Sequence, residues 1–343
     1  MRAAFIEKHG GLDEIRQGEI PRPEPGPGEV LVNVKAAALN RLDLFTLAGI
    51  PGLKLAMPHV LGGDAAGTVQ ALGPGVAGVR PGDRVAINPG LWCGECEACR
   101  AGEESLCRSY RIVGEHARGT LAEFVAVPAR NLLPMPLGFP FEQAAAAPLV
   151  YQTAWRALLN RGQLRSGQTL LVVGAGGGLS PAAVQIARHV GARVIALTSN
   201  EEKAKRVKEL GAEHVVNYRE KPDWDREVWQ LTGKRGVDVV FDNVGKETLA
   251  KSVRSCAKGG RVVVCGGTTG YDVSFDLAPI FWRQVSVVGS TMGSDRETRA
   301  VMDLVWKKQL RPVLDRVVPL HQAKEALRAM QAGETFGKIV LTI

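Results

Sequence analysis

Residues 168–187 read QTLLVVGAGGGLSPAAVQIA. Thr169 to Val173 is a short apolar, β-branched run of the kind a buried parallel strand needs. Gly174, Ala175, Gly176, Gly177 and Gly178 follow, then Leu179 and Ser180 where a third spaced glycine is usual. Ser180-Pro181 is a helix start, because proline tolerates a first turn whose N–H groups have no intrahelical partner. Ala183, Ile186, Ala187 and Val190 then recur at i, i+3, i+4, i+7 as one apolar stripe. Strand, glycine turn and helix in this order predict a cradle for a dinucleotide pyrophosphate over Gly174 to Leu179. The backbone there approaches the phosphates closely, and the helix N-terminus adds unpaired N–H groups and partial positive charge. Ser180 is small enough to keep the close helix–strand packing.

The following segments extend that reading. Arg193 to Thr198 (RVIALT) is a second strand, and its tip, Thr198-Ser199-Asn200, carries no acid to meet a ribose 2′-hydroxyl. Lys203 follows at the start of the next helix. Hydroxyls plus a lysine suit a 2′-phosphate, so NADP(H) is expected in preference to NAD(H). Glu201 and Glu202 fall in the first helical turn, where they complement the helix dipole. Val237 to Phe241, Arg261 to Cys265 and Val285 to Val288 are further buried strands, ending in Asp242-Asn243-Val244-Gly245, Gly266-Gly267 and Gly289-Ser290-Thr291. Small and polar residues at strand ends suit a ligand crevice.

At 343 residues the chain is long enough for two domains. The net charge is +8, but Lys and Arg are dispersed among Asp and Glu, with no basic run interleaved with aromatics. That argues for a small anionic ligand and against nucleic acid. No apolar run approaches a membrane span, and Met1-Arg2-Ala3-Ala4-Phe5 leads into a strand-like segment, so no membrane partner and a cytoplasmic location are expected.

The N-terminal part is β-rich. Val30 to Ala36 alternates apolar and polar residues, Thr68 to Leu72 and Arg84 to Ile87 are short strands, and Pro/Gly-rich turns (PRPEPGPGE at 21–29, GPGVAGVRPGD at 73–83) separate them. Cys93, Cys96, Cys99 and Cys107 then follow at C-x2-C-x2-C-x7-C. Four thiolates so spaced converge on one tetrahedral zinc, with no coordination position left for substrate. Two disulfides are the alternative, and a reducing compartment disfavours them. The site is expected to be structural. Cys256 and Cys265 read as buried small apolar residues, and His59 and His116 as structural histidines.

These residues resemble the medium-chain dehydrogenase/reductase superfamily over essentially the whole chain. The resemblance implies a GroES-like β-rich catalytic domain (1–149 and 292–343, zinc lobe about 90–110). It also implies an α/β Rossmann domain with a doubly wound parallel sheet (150–291) that binds NADP(H). It places Ser199, Lys203 and Tyr218 around the adenosine phosphate, and Thr153, Asn243, Val244, Gly245, Gly266 and Ser290 on the nicotinamide half. Alcohol dehydrogenases of this superfamily carry a second, catalytic zinc. Its ligand positions here hold Asn40 (in Asn40-Arg41-Leu42-Asp43), Gly63 (in Gly62-Gly63-Asp64) and Tyr151 (after Ala147-Pro148-Leu149-Val150). Asn40 is similar to the zinc-free quinone and enone reductases. Phe45 and Leu47 depart from the Tyr and Arg of that branch's D-x-Y-x-R-x-G pattern.

Without that Lewis acid, hydride transfer to an enone or quinone is easier than to a simple ketone, because the oxyanion it forms is delocalised and weakly basic. The expectation is an NADPH-dependent reductase of activated alkenes or quinones. Asn40, backbone N–H groups or the nicotinamide ribose would stabilise the oxyanion, and water or Tyr151 would give the proton. An alcohol dehydrogenase and a non-enzymatic NADPH-binding protein are the alternatives. Segment 285–291 (VSVVGST) suits pairing across a two-fold axis, and relatives form homodimers or dimer-based homotetramers.

Overall fold

The computed structural model describes residues 1–343. They form two compact units, Met1–Leu149 with Ser294–Ile343, and Val150–Gly293.

The Val150–Gly293 unit is built on a six-stranded sheet. Its order is His214–Asn217, Arg193–Thr198, Thr169–Val172, Val237–Asp242, Cys256–Val264, Ser286–Gly289, every neighbouring pair parallel. In chain order this is 3-2-1-4-5-6, the doubly wound Rossmann arrangement. The central strands are uniformly apolar because both faces are covered: Leu170, Leu171 and Val172 are fully buried. Helix Leu179–His189 turns its stripe inward, with Ala183, Ile186 and Ala187 buried. It stops one residue short of the predicted stripe. Val190 is the C-cap, and Gly191 follows at φ +82°, a conformation that costs glycine little.

The edge strand Ser286–Gly289 is paired on one side only. Val287 on it is exposed, and so are Leu277, Phe281 and Trp282 on and before the helix Ala278–Arg283.

In the other unit, strand Glu29–Ala38 organises the main sheet. Along its length it pairs with Asp64–Leu72. On its other edge it pairs with Phe124–Pro128 over its first half and with Lys338–Thr342 over Ala36–Ala38. It is buried on both faces apart from Glu29, Asn33 and Lys35, and not half-buried as the alternation predicts. The strand Asp64–Leu72 comes so close at Gly67 that a Cβ there would sit 2.1 Å from the Asn33 carbonyl oxygen, which only glycine permits. A two-stranded ladder, Gly90–Leu91 against Arg111–Ile112, closes the base of the loop that carries the four cysteines. No helix of the chain is long and apolar enough to cross a membrane.

Candidate functional site

The four cysteine sulfurs all lie within 4.8 Å of one another. Cys93 Sγ is 3.8 Å from Cys99 Sγ and 3.5 Å from Cys107 Sγ, and Cys96 Sγ is 3.5 Å from Cys99 Sγ. These are not disulfide distances, and all four thiols are free. A tetrahedron of sulfurs around zinc at about 2.3 Å has edges of about 3.8 Å, so the donor set fits the ion. Backbone N–H groups prepare it: Cys96 N donates to Cys93 Sγ, and Cys93 N and Ser109 N donate to Cys107 Sγ, each at 3.4 Å. Backbone N–H groups, that of Glu95 foremost, pull the Cys93 thiol down to about 6, whereas burial pushes Cys99 up to about 12. A bound dication favours the thiolate at every one of them.

Asn40 sits at the start of helix Arg41–Ala48 in a buried polar cluster that the sequence reading missed. Its Nδ2 donates to Asp64 Oδ2 at 3.0 Å and to the Ala38 carbonyl at 3.3 Å. Its Oδ1 accepts from Lys338 Nζ. Lys338 Nζ also donates to Asp64 Oδ2 at 3.0 Å, with the two side chains 4 % and 0 % exposed. Asp64 Oδ1 accepts from Leu149 N at 2.8 Å. Asp43, in the first turn of the helix, accepts from Asn40 N at 2.8 Å and Gly62 N at 3.1 Å. Both amide hydrogens of Asn40 are therefore engaged, and only the longer bond, to Ala38, is easily exchanged for another acceptor. Gly63, adjacent to Asp64, brings no side chain, so this neighbourhood offers carboxylates, an amide and an ammonium but neither thiolate nor imidazole. One sequence signal existed for part of it: Asn40 followed three residues later by Asp43 is a capping-box spacing.

Burial pushes the Asp43 carboxyl up to about 6, against the two N–H groups and Lys338, which pull it down. A carboxyl whose folded value exceeds its unfolded one holds its proton more tightly in the native state. Stability is then highest below the unfolded value and falls as pH rises through the folded one. Urea unfolding of the native protein is expected to show a loss on the order of 2–3 kcal/mol between about pH 4 and pH 6 from this group. Asp43→Asn should lack that component, and identical pH profiles for the two proteins would sink the assignment.

In the Val150–Gly293 unit the glycine turn is tied down by Ser180, whose hydroxyl donates to the Gly174 carbonyl at 3.0 Å. Gly174 has φ +70°, and a Cβ on Gly177 would meet nothing within 4 Å, so the turn presents open backbone. Lys203 lies over it, with Nζ 3.3 Å from where a Cβ on Gly176 would be, which sets an ammonium at the place read as the pyrophosphate cradle. Asn200 caps the next helix by accepting from Lys203 N. Tyr218 N donates to the Thr198 carbonyl, which puts Ser199 and Tyr218 at neighbouring strand tips.

Asp242 is wholly buried and accepts from Val244 N, Gly245 N, Thr248 Oγ1 and Ser252 Oγ, fixing the loop Asn243–Gly245. Gly266 packs against that loop, 3.1 Å from the Asn243 carbonyl at its Cβ position. Ser290, just past the last strand, is buried and its hydroxyl has no hydrogen bond within the protein. An orphaned hydroxyl at the carboxyl end of a Rossmann strand fits a nicotinamide cofactor, as do the open glycine turn and its ammonium. Thr153 Oγ1 points to Met292 Sδ at 3.7 Å. Tyr151 is buried, with its hydroxyl accepting from Gln185 Nε2 at 3.1 Å, and burial raises its phenol well above the ordinary range.

Comparison with known proteins identifies the family. Residues 26–137 match the alcohol dehydrogenase GroES-like domain, and residues 178–307 match the zinc-binding dehydrogenase domain. Acryloyl-coenzyme A reductase from Metallosphaera sedula is 32% identical, covering 100% of both chains. A crystal structure of an NAD-dependent alcohol dehydrogenase superposes with a TM-score of 0.96 at 46% identity, again over 100% of both chains. A 2-octenoyl-CoA carboxylase reductase in complex with NADP and 2-octenoyl-CoA superposes with a TM-score of 0.92 at 28% identity, covering 99% of this chain and 87% of that one. With a GroES-like domain, a 3-2-1-4-5-6 nucleotide sheet and relatives named as oxidoreductases along its full length, the chain belongs to the medium-chain dehydrogenase/reductase superfamily and is an NAD(P)-dependent oxidoreductase.

Proposed function

We propose that the protein is an NADPH-dependent reductase of activated alkenes, α,β-unsaturated acyl thioesters among them. The observation that carries this is the residue set at the positions where alcohol dehydrogenases of the superfamily hold catalytic zinc. Asn40 is bound into an amide–carboxylate–ammonium cluster, Gly63 has no side chain, and Tyr151 is a buried phenol. A reduced nicotinamide supplies the hydride. The glycine turn binds the diphosphate, and Ser199, Lys203 and Tyr218 receive the 2′-phosphate. Asn40 takes the acceptor's oxygen by giving up its 3.3 Å bond to Ala38, while Lys338 and Asp64 hold the amide plane. An amide N–H suffices for a delocalised enolate, where a localised alkoxide requires a stronger acid. Water is the proton source, since the Tyr151 phenol is buried and holds its proton tightly. The names of the acryloyl-coenzyme A and 2-octenoyl-CoA reductases support this reading.

An alcohol dehydrogenase is the second reading, favoured by the 46%-identical structure of that name. NADPH oxidation by the zinc-loaded protein separates the two. Turnover is expected with methyl vinyl ketone and crotonyl-CoA, and Asn40→Ala should lower kcat by about 10²–10³, the usual effect of losing an oxyanion donor. Turnover confined to simple aldehydes or ketones, with two zinc ions per chain, would overturn the reductase reading. The cysteine cluster holds one structural zinc, the six free thiols suit the cytoplasm, and the exposed edge strand with Phe281 and Trp282 beside it suits a homodimer or a tetramer of dimers.

A further inference from the structure

A cavity of about 470 Å³ lies within the Met1–Leu149/Ser294–Ile343 unit, beside the cysteine cluster. That volume is in the range of small-ligand sites. One wall comes from the base of the cysteine loop, with Trp92, Ser109 and Tyr110, and the opposite wall from the strand Phe124–Pro128. Arg111 and Arg118 line it as well.

Arg2, Arg193, Arg235, Arg254, Arg299 and Arg316 each pair with a carboxylate at 2.6–2.8 Å. Arg111 and Arg118 are exposed and pair with none. The carboxylate on the cavity wall, Glu29, already accepts from Gly26 N at 2.9 Å. The cavity also offers flat apolar surface. The Trp92 ring lies 5.1 Å from the guanidinium of Arg130, so it already stacks a planar cation. Tyr110 is packed down onto Gly90, where a Cβ would meet its hydroxyl at 2.3 Å. Two unpaired guanidinium forks beside aromatic faces match phosphates attached to a planar base.

The cavity also borders the polar cluster. Val113 is on its wall, and the Val113 carbonyl oxygen lies 3.2 Å from where a Cβ on Gly63 would be. Gly63 precedes Asp64, the hydrogen-bond partner of Asn40.

We propose that this cavity is a nucleotide-phosphate subsite whose occupant is the phosphorylated adenosine tail of an acyl-thioester substrate. Arg111 and Arg118 bind the phosphates, and the Trp92–Tyr110 side receives the base. This rests on the reductase reading for the acyl end and on the cavity alone for the tail. The competing account is that the arginines only compensate the negative charge of a zinc tetrathiolate, since Cys93 is on the same wall.

The test uses the zinc-loaded protein with its cofactor site saturated by NADPH, and titrates adenosine 3′,5′-bisphosphate by calorimetry. Binding is expected in the native protein, and at least ~30-fold weaker binding in the double variant R111Q/R118Q at unchanged zinc content, from two lost charge-assisted contacts. Crotonyl-CoA should exceed crotonyl-pantetheine in kcat/KM by at least ~10-fold in the native protein, and the variant should bring that ratio to about 1. Arginine-dependent bisphosphate binding with no preference for the CoA thioester would assign the cavity to a free nucleotide and overturn the substrate half of the proposal. Enone turnover without bisphosphate binding would overturn the cavity proposal and leave the reductase reading standing. A variant that loses zinc yet binds the bisphosphate as before would return the arginines to charge compensation.

Discussion

Cys99→Ser is expected to release the zinc and lower the thermal midpoint by ~10–20 °C, corresponding to a loss on the order of 4–5 kcal/mol. Cys99 is buried, it sits in the short helix Glu97–Arg100, and its sulfur lies within 3.8 Å of those of Cys93 and Cys96. The loop between Leu91 and Arg111 has little apolar surface of its own to hold it, with Leu106 largely exposed. Its order then comes from the metal and from the short ladder at its base. A serine oxygen is a harder, shorter-reaching donor than thiolate, and three sulfurs leave an open position that invites water or exchange. Metal analysis should give one zinc per native chain and less than about a tenth of that after dialysis of the variant against a chelator. If the native protein, stripped of metal, melts where it did before, the cluster does not stabilise the fold.

Lys338→Met should be the second large effect, about 3–5 kcal/mol in urea unfolding, for a different physical reason. The substitution preserves most of the apolar stem but leaves Asp64 wholly buried with no countercharge, and takes the proton donor from Asn40 Oδ1. Hydrogen bonds from Leu149 N and Asn40 Nδ2 remain at Asp64, and they compensate only part of a desolvated carboxylate. Adding Asp64→Leu removes that stranded charge, so the double variant should recover at least ~2 kcal/mol relative to Lys338→Met alone. A loss below about 1 kcal/mol for Lys338→Met would mean that water reaches Asp64 and that the pair is not the desolvated one its exposure indicates.

What the sequence disclosed follows from how local each signal is. The glycine turn, its strand and its helix are contiguous, and the four cysteines lie within one loop, so spacing alone identifies both. The Lys338–Asp64 bond joins residues 274 positions apart, and nothing in either neighbourhood announces the other. The strand Cys256–Val264 was legible only from Arg261, because Gly259 and Gly260 interrupt its apolar run and a register shift offsets its start against Val237. His214–Asn217 has too few residues, with polar ones at both ends, to carry a period. The side-chain commitments of Asn40 were also hidden, since a sequence shows that an amide is present but not which partners use its hydrogens.

The strand Lys338–Thr342 has a further consequence, for the order of assembly during synthesis. It supplies an interior neighbour of Glu29–Ala38, between that strand and Leu314–Pro319, and its first residue brings the ammonium to Asn40 across 298 positions. The Val150–Gly293 unit, by contrast, contains all six strands of its own sheet. On a ribosome adding residues from the N-terminus, the nucleotide sheet is complete while the N-terminal sheet still waits for two strands, Leu314–Pro319 and Lys338–Thr342. Until then the Glu29–Ala38 strand is open on one edge at Ala36–Ala38, an exposed β edge that a chaperone or another nascent chain can occupy. The same strand completes both the main sheet and the polar cluster around Asn40, so neither forms until the residues from Lys338 onward are made.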